Sequence, residues 1–355
     1  MNTLVSVLGP TATGKTSFAL KLAEQALSIE SITGKNSGKK LFSGVDLISA
    51  DSRQIYRGLE ILSGADVPNE FKKVLPNKED EQNIDAFMID VFPYFENKNI
   101  RLHGVSIIGL NDEWSVAHFK NFAINIINNS FADNRLPIIV GGTTLYINHL
   151  FNKDNNLYVK PITEVRNKAS QMTVQELQEW LRSVNPEKLV QMNNSDINNS
   201  RRLVRAIEIS IGKPELEKIM NLPDDINNIK IGLTTDLEKI SEKINKRVFE
   251  RFNNVVVDEV KNLHSTCPTS SINSPNFSTS STILGASDIS SYLNNEIDQE
   301  KCLENWALHE FQYAKRQLMW LKKEKNIIWL DDSAKYSYTL SSKLFEKQNE
   351  KIYIQ

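Results

Sequence analysis

The 355-residue sequence predicts an α/β fold in which a P-loop-containing parallel sheet is flanked by helices and interrupted by a mostly helical insertion. Three observations predict it. An apolar segment at the N-terminus runs into a glycine-rich turn and then into an amphipathic segment. The same order of strand, glycine turn and helix recurs near residue 141. Beyond residue 150 the sequence becomes polar with helical periodicity, which indicates an insertion.

The first third of the chain predicts two strands and one helix. Residues 4–8 form a short apolar strand, and residues 17–27 carry apolar residues at helical spacing. Residues 28–43 are rich in Gly, Ser and Lys and predict a loop before a second strand at 45–50. The pattern over residues 68–100 is weak and predicts no definite element.

The middle of the chain predicts a helix, a strand and the insertion. Asp112 or Ser115 can cap a helix over residues 116–128, and residues 137–140 form an apolar strand. We expect a P-loop α/β core at 1–150 and 206–355. An inserted helical region occupies the approximate range 151–205.

The last third predicts a return to the core. Residues 230–235 form a strand, followed by one long helix over 236–264. Residues 265–282 are rich in Ser, Thr and Pro and predict a loop. A helix over 299–324 and a strand over 327–330 complete the fold.

Composition excludes several classes of protein. Lys and Arg total 42 against 44 Asp and Glu, so the net charge of -2 argues against a general nucleic-acid coat protein. No apolar run approaches the roughly 18 residues of a membrane span, and no secretory signal is apparent. The two cysteines, Cys267 and Cys302, are too few for a disulfide framework or a four-cysteine zinc site. We therefore expect a cytoplasmic protein with no membrane association.

The N-terminal turn matches the phosphate-binding pattern G-x-x-x-x-G-K-[ST]. Its residues are Gly9, Pro10, Thr11, Ala12, Thr13, Gly14, Lys15 and Thr16. Backbone N–H groups of such a loop converge on phosphate oxygens at a helix N-terminus. Lys15 supplies a positive charge, and the Thr16 hydroxyl can hold Mg²⁺ or a phosphate oxygen. The motif indicates a phosphate or diphosphate ligand without identifying a nucleotide.

A carboxylate follows the second predicted strand. Asp51 lies at the end of this strand, where the ligand crevice of an open α/β sheet is found. It can hold Mg²⁺ through water or accept a proton from a nucleophile. Capping of the following helix is an equally good interpretation of its position.

Two groups of arginines indicate anion binding. Arg247 and Arg251 are four residues apart and share one helix face, although a solvated charged face would have the same spacing. Arg201, Arg202 and Arg205 enter a helix, where cations are unfavourable unless an anion such as phosphate is bound. Residues 313–323 are also basic, with aromatic residues between the cations, and we expect Trp320 among them to face the core.

The sequence resembles the tRNA dimethylallyltransferases, also called tRNA isopentenyltransferases, of the bacterial type. The resemblance runs from residue 4 to about 331 and rests on the blocks GPTATGKT, ISADSRQIYRGL, LPIIVGGTTLYI, NNSRRLVRAIEI and FQYAKRQLMWL…IIWLD. It implies transfer of a dimethylallyl group from dimethylallyl diphosphate to N6 of the adenosine 3′ to the anticodon, with release of diphosphate. The implied partners are a tRNA anticodon stem-loop, the allylic diphosphate and Mg²⁺. We expect a monomer.

The resemblance also implies roles for individual residues. Asp51 is the expected base, Lys15 and Thr16 hold the diphosphate, and one of Arg247 and Arg251 assists its departure. The expected tRNA contacts are Asp51, Ser52, Arg53, Gln54, Thr143, Arg166, Arg201, Arg202 and Arg205. For Thr143, capping of the next helix is an equally good interpretation.

The sequence departs from the family pattern at residues 57–66, 102–106 and 284–288. These departures leave Lys15, Thr16 and Asp51 in place. Three alternative functions remain open. A small-molecule P-loop kinase would use the same loop to bind ATP, but the strand at 137–140 lacks the usual acidic residue. A second alternative is an isopentenyltransferase acting on free adenine nucleotide. A third is a non-catalytic RNA- or nucleotide-binding protein.

Overall fold

The computed structural model describes residues 2–30, 39–65, 67–75, 92–267 and 279–331. Parts of the loops predicted at 28–43 and 265–282 lie outside these residues. The strands are β1 (Thr3–Leu8), β2 (Gly44–Ser49), β3 (Lys72–Val74), β4 (Tyr94–Asn97), β5 (Ile100–His103), β6 (Arg135–Gly141), β7 (Asn227–Thr234) and β8 (Ile327–Asp331).

The helices cover both faces of the sheet and form the insertion. They are α1 (Lys15–Ser28), α2 (Glu60–Ser63), α3 (Val116–Ala132), α4 (Thr144–Phe151), α5 (Thr163–Ala169), α6 (Val174–Val184), α7 (Pro186–Gln191), α8 (Asn194–Ile197), α9 (Ser200–Ile211), α10 (Leu237–Arg251), α11 (Asn254–Thr266), α12 (Ala286–Leu293) and α13 (Gln299–Leu321). Among the described residues, no helix is both long and apolar enough to cross a membrane.

The described strands form one mixed sheet in the order β3-β4-β5-β2-β6-β1-β7-β8. The six strands from β5 to β8 are parallel, which confirms the predicted core of the sheet. The expectation of a wholly parallel sheet is corrected at one edge, where β4 runs antiparallel to both of its neighbours, β3 and β5. The pairing of β4 with β5 follows from the tight turn between them, in which Lys98 has φ 53. A connection this short joins only antiparallel strands.

The single helix predicted over 236–264 is two helices in the structure, because the first helix ends at Arg251 and a second begins at Asn254. Asn253 caps the second helix: its Oδ1 accepts from the N–H groups of Val255 at 3.0 Å and Val256 at 3.1 Å. An Asn side chain at this position competes with a continuous helix and satisfies two otherwise unpaired donors. The break leaves the arginines of α10 at the end of a helix.

Alternate residues of the central strands pack on opposite faces of the sheet. Val5 and Val7 lie with α1 in one apolar cluster. Leu4 and Leu8 lie in the other cluster, together with residues of α3, α4 and α10 to α13. Trp306 of α13 is fully buried on this second face.

The insertion has an apolar cluster of its own. Leu177 and Leu181 of α6 pack there with Leu203 and Ile207 of α9. An isolated antiparallel β-bridge joins Val159, near the start of the insertion, to Pro214, which follows α9. The expected boundary at residue 205 therefore lies inside α9.

One prediction for α13 is wrong. Trp320 was expected to face the core, but its exposed fraction is 48%. Leu318 and Leu321 take the buried positions instead, because each residue advances about 100° around a helix.

Candidate active site

The glycine-rich turn between β1 and α1 has the expected strand–loop–helix arrangement. Gly14 has φ 78 and immediately precedes the first turn of α1. The Thr13 hydroxyl and the Lys15 ammonium both donate to the Pro10 carbonyl, at 2.8 and 2.7 Å. The loop thus folds back on itself, with the N-terminal amides of α1 available to an anion.

A cavity of about 740 Å³ lies beside this loop. It brings together residues that are far apart in sequence. The predicted site residues that line it are Thr11, Ala12, Gly14, Lys15, Thr16, Asp51, Gln54 and Arg247. Arg251 and the predicted tRNA contacts Ser52, Arg53 and Thr143 are not among its lining residues.

Asp51 follows β2 at the carboxyl edge of the sheet. Its Oδ1 accepts from the N–H of Arg53 at 2.9 Å, which fixes the carboxylate within a local turn. The alternative role as a helix cap is not observed, because Leu59 is the residue that precedes α2.

Gln54 ties the Asp51 turn to its surroundings. Its Oε1 accepts from the Ser49 hydroxyl at 3.0 Å, and its Nε2 donates to the Gly64 carbonyl at 2.9 Å. Gly64 has φ +66, and a Cβ built there would lie 2.0 Å from the Arg251 Nη2. Only glycine combines this backbone conformation with so close a guanidinium.

Two tyrosines next to Asp51 were missed by the sequence analysis. Burial raises the pKa of Tyr313, the Asp51 charge raises it further, and Thr143 and Gln317 lie beside its hydroxyl. Burial also raises the pKa of Tyr146, against an opposing effect of Arg53. Both phenols therefore stay protonated at neutral pH and can donate hydrogen bonds. Thr143 precedes α4, but its side chain makes no capping hydrogen bond.

The two arginines of α10 share one face, as predicted, but their surroundings differ. Arg247 lines the cavity, and its Nη2 donates to the Thr11 hydroxyl of the glycine-rich loop at 2.7 Å. Arg251 is more buried, with a side-chain exposed fraction of 11% against 23% for Arg247. Both form ion pairs with Glu310 of α13.

Helix α13 contributes two polar residues that the sequence analysis did not select. Glu310 is buried and forms the ion pairs with Arg247 and Arg251. Gln317 Oε1 accepts a hydrogen bond from the N–H of Thr11 at 2.8 Å. They are seven residues apart, two turns of a helix, on the stripe that also contains the buried Ala314 and Leu321. A polar residue within a buried stripe was the signal that could have identified them.

Three arginines from different regions form a cationic cluster. Burial lowers the pKa of Arg201, and the nearby positive charges of Arg53 and Arg166 lower it further. Arg53 follows β2, whereas Arg166 and Arg201 belong to the insertion. Like charges near one another disfavour their charged forms, and a bound anion would relieve this effect.

Three of the predicted cations of the insertion, Arg166 of the cluster among them, have acidic partners nearby. Arg205 donates to Glu208 Oε2 at 3.1 Å and to the Val159 carbonyl at 2.8 Å. Arg166 donates through Nε to the other oxygen of the fully buried Glu208, at 2.9 Å. Arg202 pairs with Asp196 near the surface. The side chain of Arg205 is therefore less exposed than that of Arg202.

No group of three or more His, Cys, Asp or Glu residues that could hold a metal occurs in the described part of the chain. Mg²⁺ does not require such a group, because it commonly binds one or two protein oxygens together with water and substrate phosphates. The Thr16 hydroxyl and the Asp51 carboxylate line the same cavity. These two residues fit Mg²⁺ bound with a diphosphate.

Comparison with known proteins identifies the family of the chain. Residues 92–324 match the family profile described as IPP transferase. The tRNA dimethylallyltransferase of Caldanaerobacter subterraneus subsp. tengcongensis is 32% identical, over 97% of this chain and 96% of the relative. That of Halothermothrix orenii is 29% identical, over 93% and 88% of the two chains.

Two solved structures have the same fold. The full-length tRNA isopentenylpyrophosphate transferase from Bacillus halodurans superposes with a TM-score of 0.56 at 26% identity, covering 93% of this chain and 90% of that one. A eukaryotic dimethylallyltransferase acting on tRNA superposes with a TM-score of 0.65 at 19% identity, over 97% and 78% of the chains. The second likeness concerns the fold alone.

Proposed function

The chain belongs to the IPP transferase family, and we infer that it transfers a dimethylallyl group from dimethylallyl diphosphate to tRNA. The acceptor is N6 of the adenosine 3′ to the anticodon, and diphosphate is released. The observation that carries this proposal is the single cavity shared by Lys15, Asp51 and Arg247. It combines a site for a diphosphate with a base beside it.

Asp51 is the proposed base. The N6 amine of adenine is a poor nucleophile because its lone pair is delocalised into the ring. As the bond from N6 to the allylic carbon forms, the bond from that carbon to the diphosphate oxygen breaks, and the oxygen keeps the electron pair. Asp51 takes the proton that N6 loses. The N–H of Arg53 holds one carboxylate oxygen, which orients the other toward the acceptor.

Lys15, the amides of the glycine-rich loop and Arg247 stabilise the departing diphosphate. Of the two α10 arginines, we assign this role to Arg247, because it lines the cavity and contacts Thr11 of the loop. Arg251 supports it from the more buried side. Mg²⁺, bound by Thr16 and the diphosphate oxygens, would neutralise further negative charge on the leaving group.

The cluster of Arg53, Arg166 and Arg201 supports a nucleic-acid acceptor. Arg53 follows β2, the other two arginines belong to the insertion, and their charges interact, so a phosphate held by them would bring the adjoining nucleotide toward Asp51. The helical insertion is therefore the proposed tRNA-contacting region. One chain supplies every residue that the reaction uses, so the proposal requires no second subunit.

A transfer assay tests the function. The protein, Mg²⁺ and dimethylallyl diphosphate are mixed with an unmodified anticodon stem-loop that carries adenosine 3′ to the anticodon. Parallel reactions contain AMP or ATP in its place. We expect a mass gain of one dimethylallyl group on the RNA alone. A gain on the free nucleotide, or ATP turnover without any prenyl transfer, would contradict the proposal.

Asp51→Asn provides the matched variant in this assay. It keeps the size and the acceptor oxygen of the side chain but cannot take up the proton. We expect transfer to fall by at least about 100-fold, with binding of the stem-loop retained in a filter-binding measurement. Unchanged turnover would exclude Asp51 as the base.

A further inference from the structure

Glu310 is a buried carboxylate beside the proposed diphosphate site. Its exposed fraction is 5%. It lies on α13 opposite the arginines of α10 and is not a lining residue of the cavity. A negative charge in this place weakens the attraction for diphosphate, so its presence calls for a separate explanation.

Each oxygen of Glu310 has its own partner. Oε2 forms an ion pair with Arg247 Nη2. Oε1 accepts from the indole N–H of Trp306 at 3.2 Å and lies 3.8 Å from Arg251 Nη1. Because Trp306 is fully buried, its N–H fixes the orientation of the carboxylate.

The same nitrogen of Arg247 links Glu310 to the glycine-rich loop. Arg247 Nη2 contacts Glu310 on one side and donates to the Thr11 hydroxyl on the other, at 2.7 Å. Gln317, two turns further along α13, accepts from the Thr11 N–H. Helix α13 thus holds both the loop and the guanidinium that faces the cavity.

We propose that Glu310 is a positioning residue, whose carboxylate holds Arg247 in the orientation that stabilises the departing diphosphate. The inference rests on the proposed transfer reaction. Glu310 touches neither substrate and acts through Arg247. It lowers the affinity for diphosphate in the ground state and raises the rate of transfer, because a guanidinium that is already oriented needs no reorganisation as negative charge develops.

Glu310→Gln tests the inference, since the amide keeps the shape and can still accept from Trp306 but lacks the charge. We expect the single-turnover transfer rate to fall by about 10- to 100-fold. Binding of inorganic diphosphate with Mg²⁺, measured by calorimetry, should be unchanged or up to about 10-fold tighter. A merely structural role would weaken binding and slow transfer together, and that result would overturn the inference, as would an unchanged rate.

Glu304→Gln is the matched control, because Glu304 is exposed on the same helix and pairs with Lys301. It should change neither the transfer rate nor the affinity for diphosphate.

If Glu310→Gln fails to fold, Trp306→Phe provides a second variant, because it removes the hydrogen bond that fixes Oε1 of Glu310. Slower transfer without weaker diphosphate binding is again expected. If the wild-type protein transfers nothing to RNA, the proposed function fails. The diphosphate measurement then still decides on Glu310, because weaker binding by Glu310→Gln contradicts the inference.

Discussion

At the residue scale, two arginines with the same spacing and the same face have different surroundings. Arg247 reaches the cavity and the glycine-rich loop, while Arg251 packs against Gly64 and Glu310. The cavity is lined by Lys243 and Arg247 of α10 and does not extend to Arg251, which lies one turn further along the same face. We therefore expect Arg247 and Arg251 to have different functions.

Arg247→Ala should lower the transfer rate by about 100-fold or more, because it removes a donor aimed at the leaving group. Arg251→Ala should have a smaller effect on the rate and a larger one on stability, since it leaves Glu310 with one ion pair fewer and opens space beside Gly64. Single-turnover kinetics and thermal unfolding of both variants measure this. Equal losses of rate would contradict the assignment of Arg247 to the diphosphate.

At the element scale, the insertion holds its cations in two ways. The fully buried Glu208 binds Arg166 and Arg205 and accepts from the N–H of Ile162 at 3.0 Å. Arg201, by contrast, faces the like charges of Arg53 and Arg166. The first arrangement ties Arg166 and Arg205 into the insertion, and we propose that the second contributes to binding an RNA phosphate.

Arg201→Ala should weaken binding of the stem-loop and reduce the slope of log affinity against log salt by about 1, because one phosphate contact is lost. Lys15→Ala should leave this slope unchanged while depressing transfer. Arg205→Ala serves as a second comparison and should lower the melting temperature. Binding isotherms at several salt concentrations measure the slopes, and an unaltered slope in Arg201→Ala would exclude a phosphate contact.

At the scale of the whole molecule, a buried ion pair joins three strands. Asp46 of β2 accepts from Arg135 of β6 at 2.8 and 3.0 Å, and lies 3.2 Å from the ring of His103 in β5. Burial alone would raise the pKa of Asp46, but the hydrogen bonds and charges of His103 and Arg135 outweigh it and hold the pKa far below its ordinary value. The pair therefore stabilises the fold in its ionised form.

Asp46→Asn should lower the free energy of unfolding by about 3 kcal/mol at pH 7, because Arg135 is left buried without its counter-charge. Since the folded pKa lies below the unfolded value of about 3.9, the contribution is complete above about pH 5 and is lost as the pH falls below about 4. Urea unfolding from pH 7 to pH 3 should show the variant and wild type converging. Asp224→Asn, which alters an exposed pair with Lys153, should follow wild type throughout, and a constant difference for Asp46→Asn would contradict the linkage.

Local patterns accounted for the elements and the motif residues of the site, but not for contacts between distant segments. The helix periodicity of α1, α3 and α13 and the apolar runs of β1, β2, β6, β7 and β8 were sufficient to predict those elements, but the parallel strand β5 was not predicted. The antiparallel strands β3 and β4 and the break at Asn253 were missed, because a tight turn and a single capping side chain decided them. Glu310 and Gln317 were missed because their importance depends on what α10 and the glycine-rich loop bring next to them.

The sequence by itself determined the α/β class, the phosphate-loop motif, the carboxylate at the end of β2 and the family resemblance, since each is carried by residues close together in the chain. Tertiary structure alone decided that Arg247 faces the cavity while Arg251 does not. It also decided that Arg53 meets Arg166 and Arg201 and that Glu310 lies between two arginines. These facts depend on how helices cross and on which side chains are excluded from water, and such relations between distant segments are set by packing rather than by local spacing.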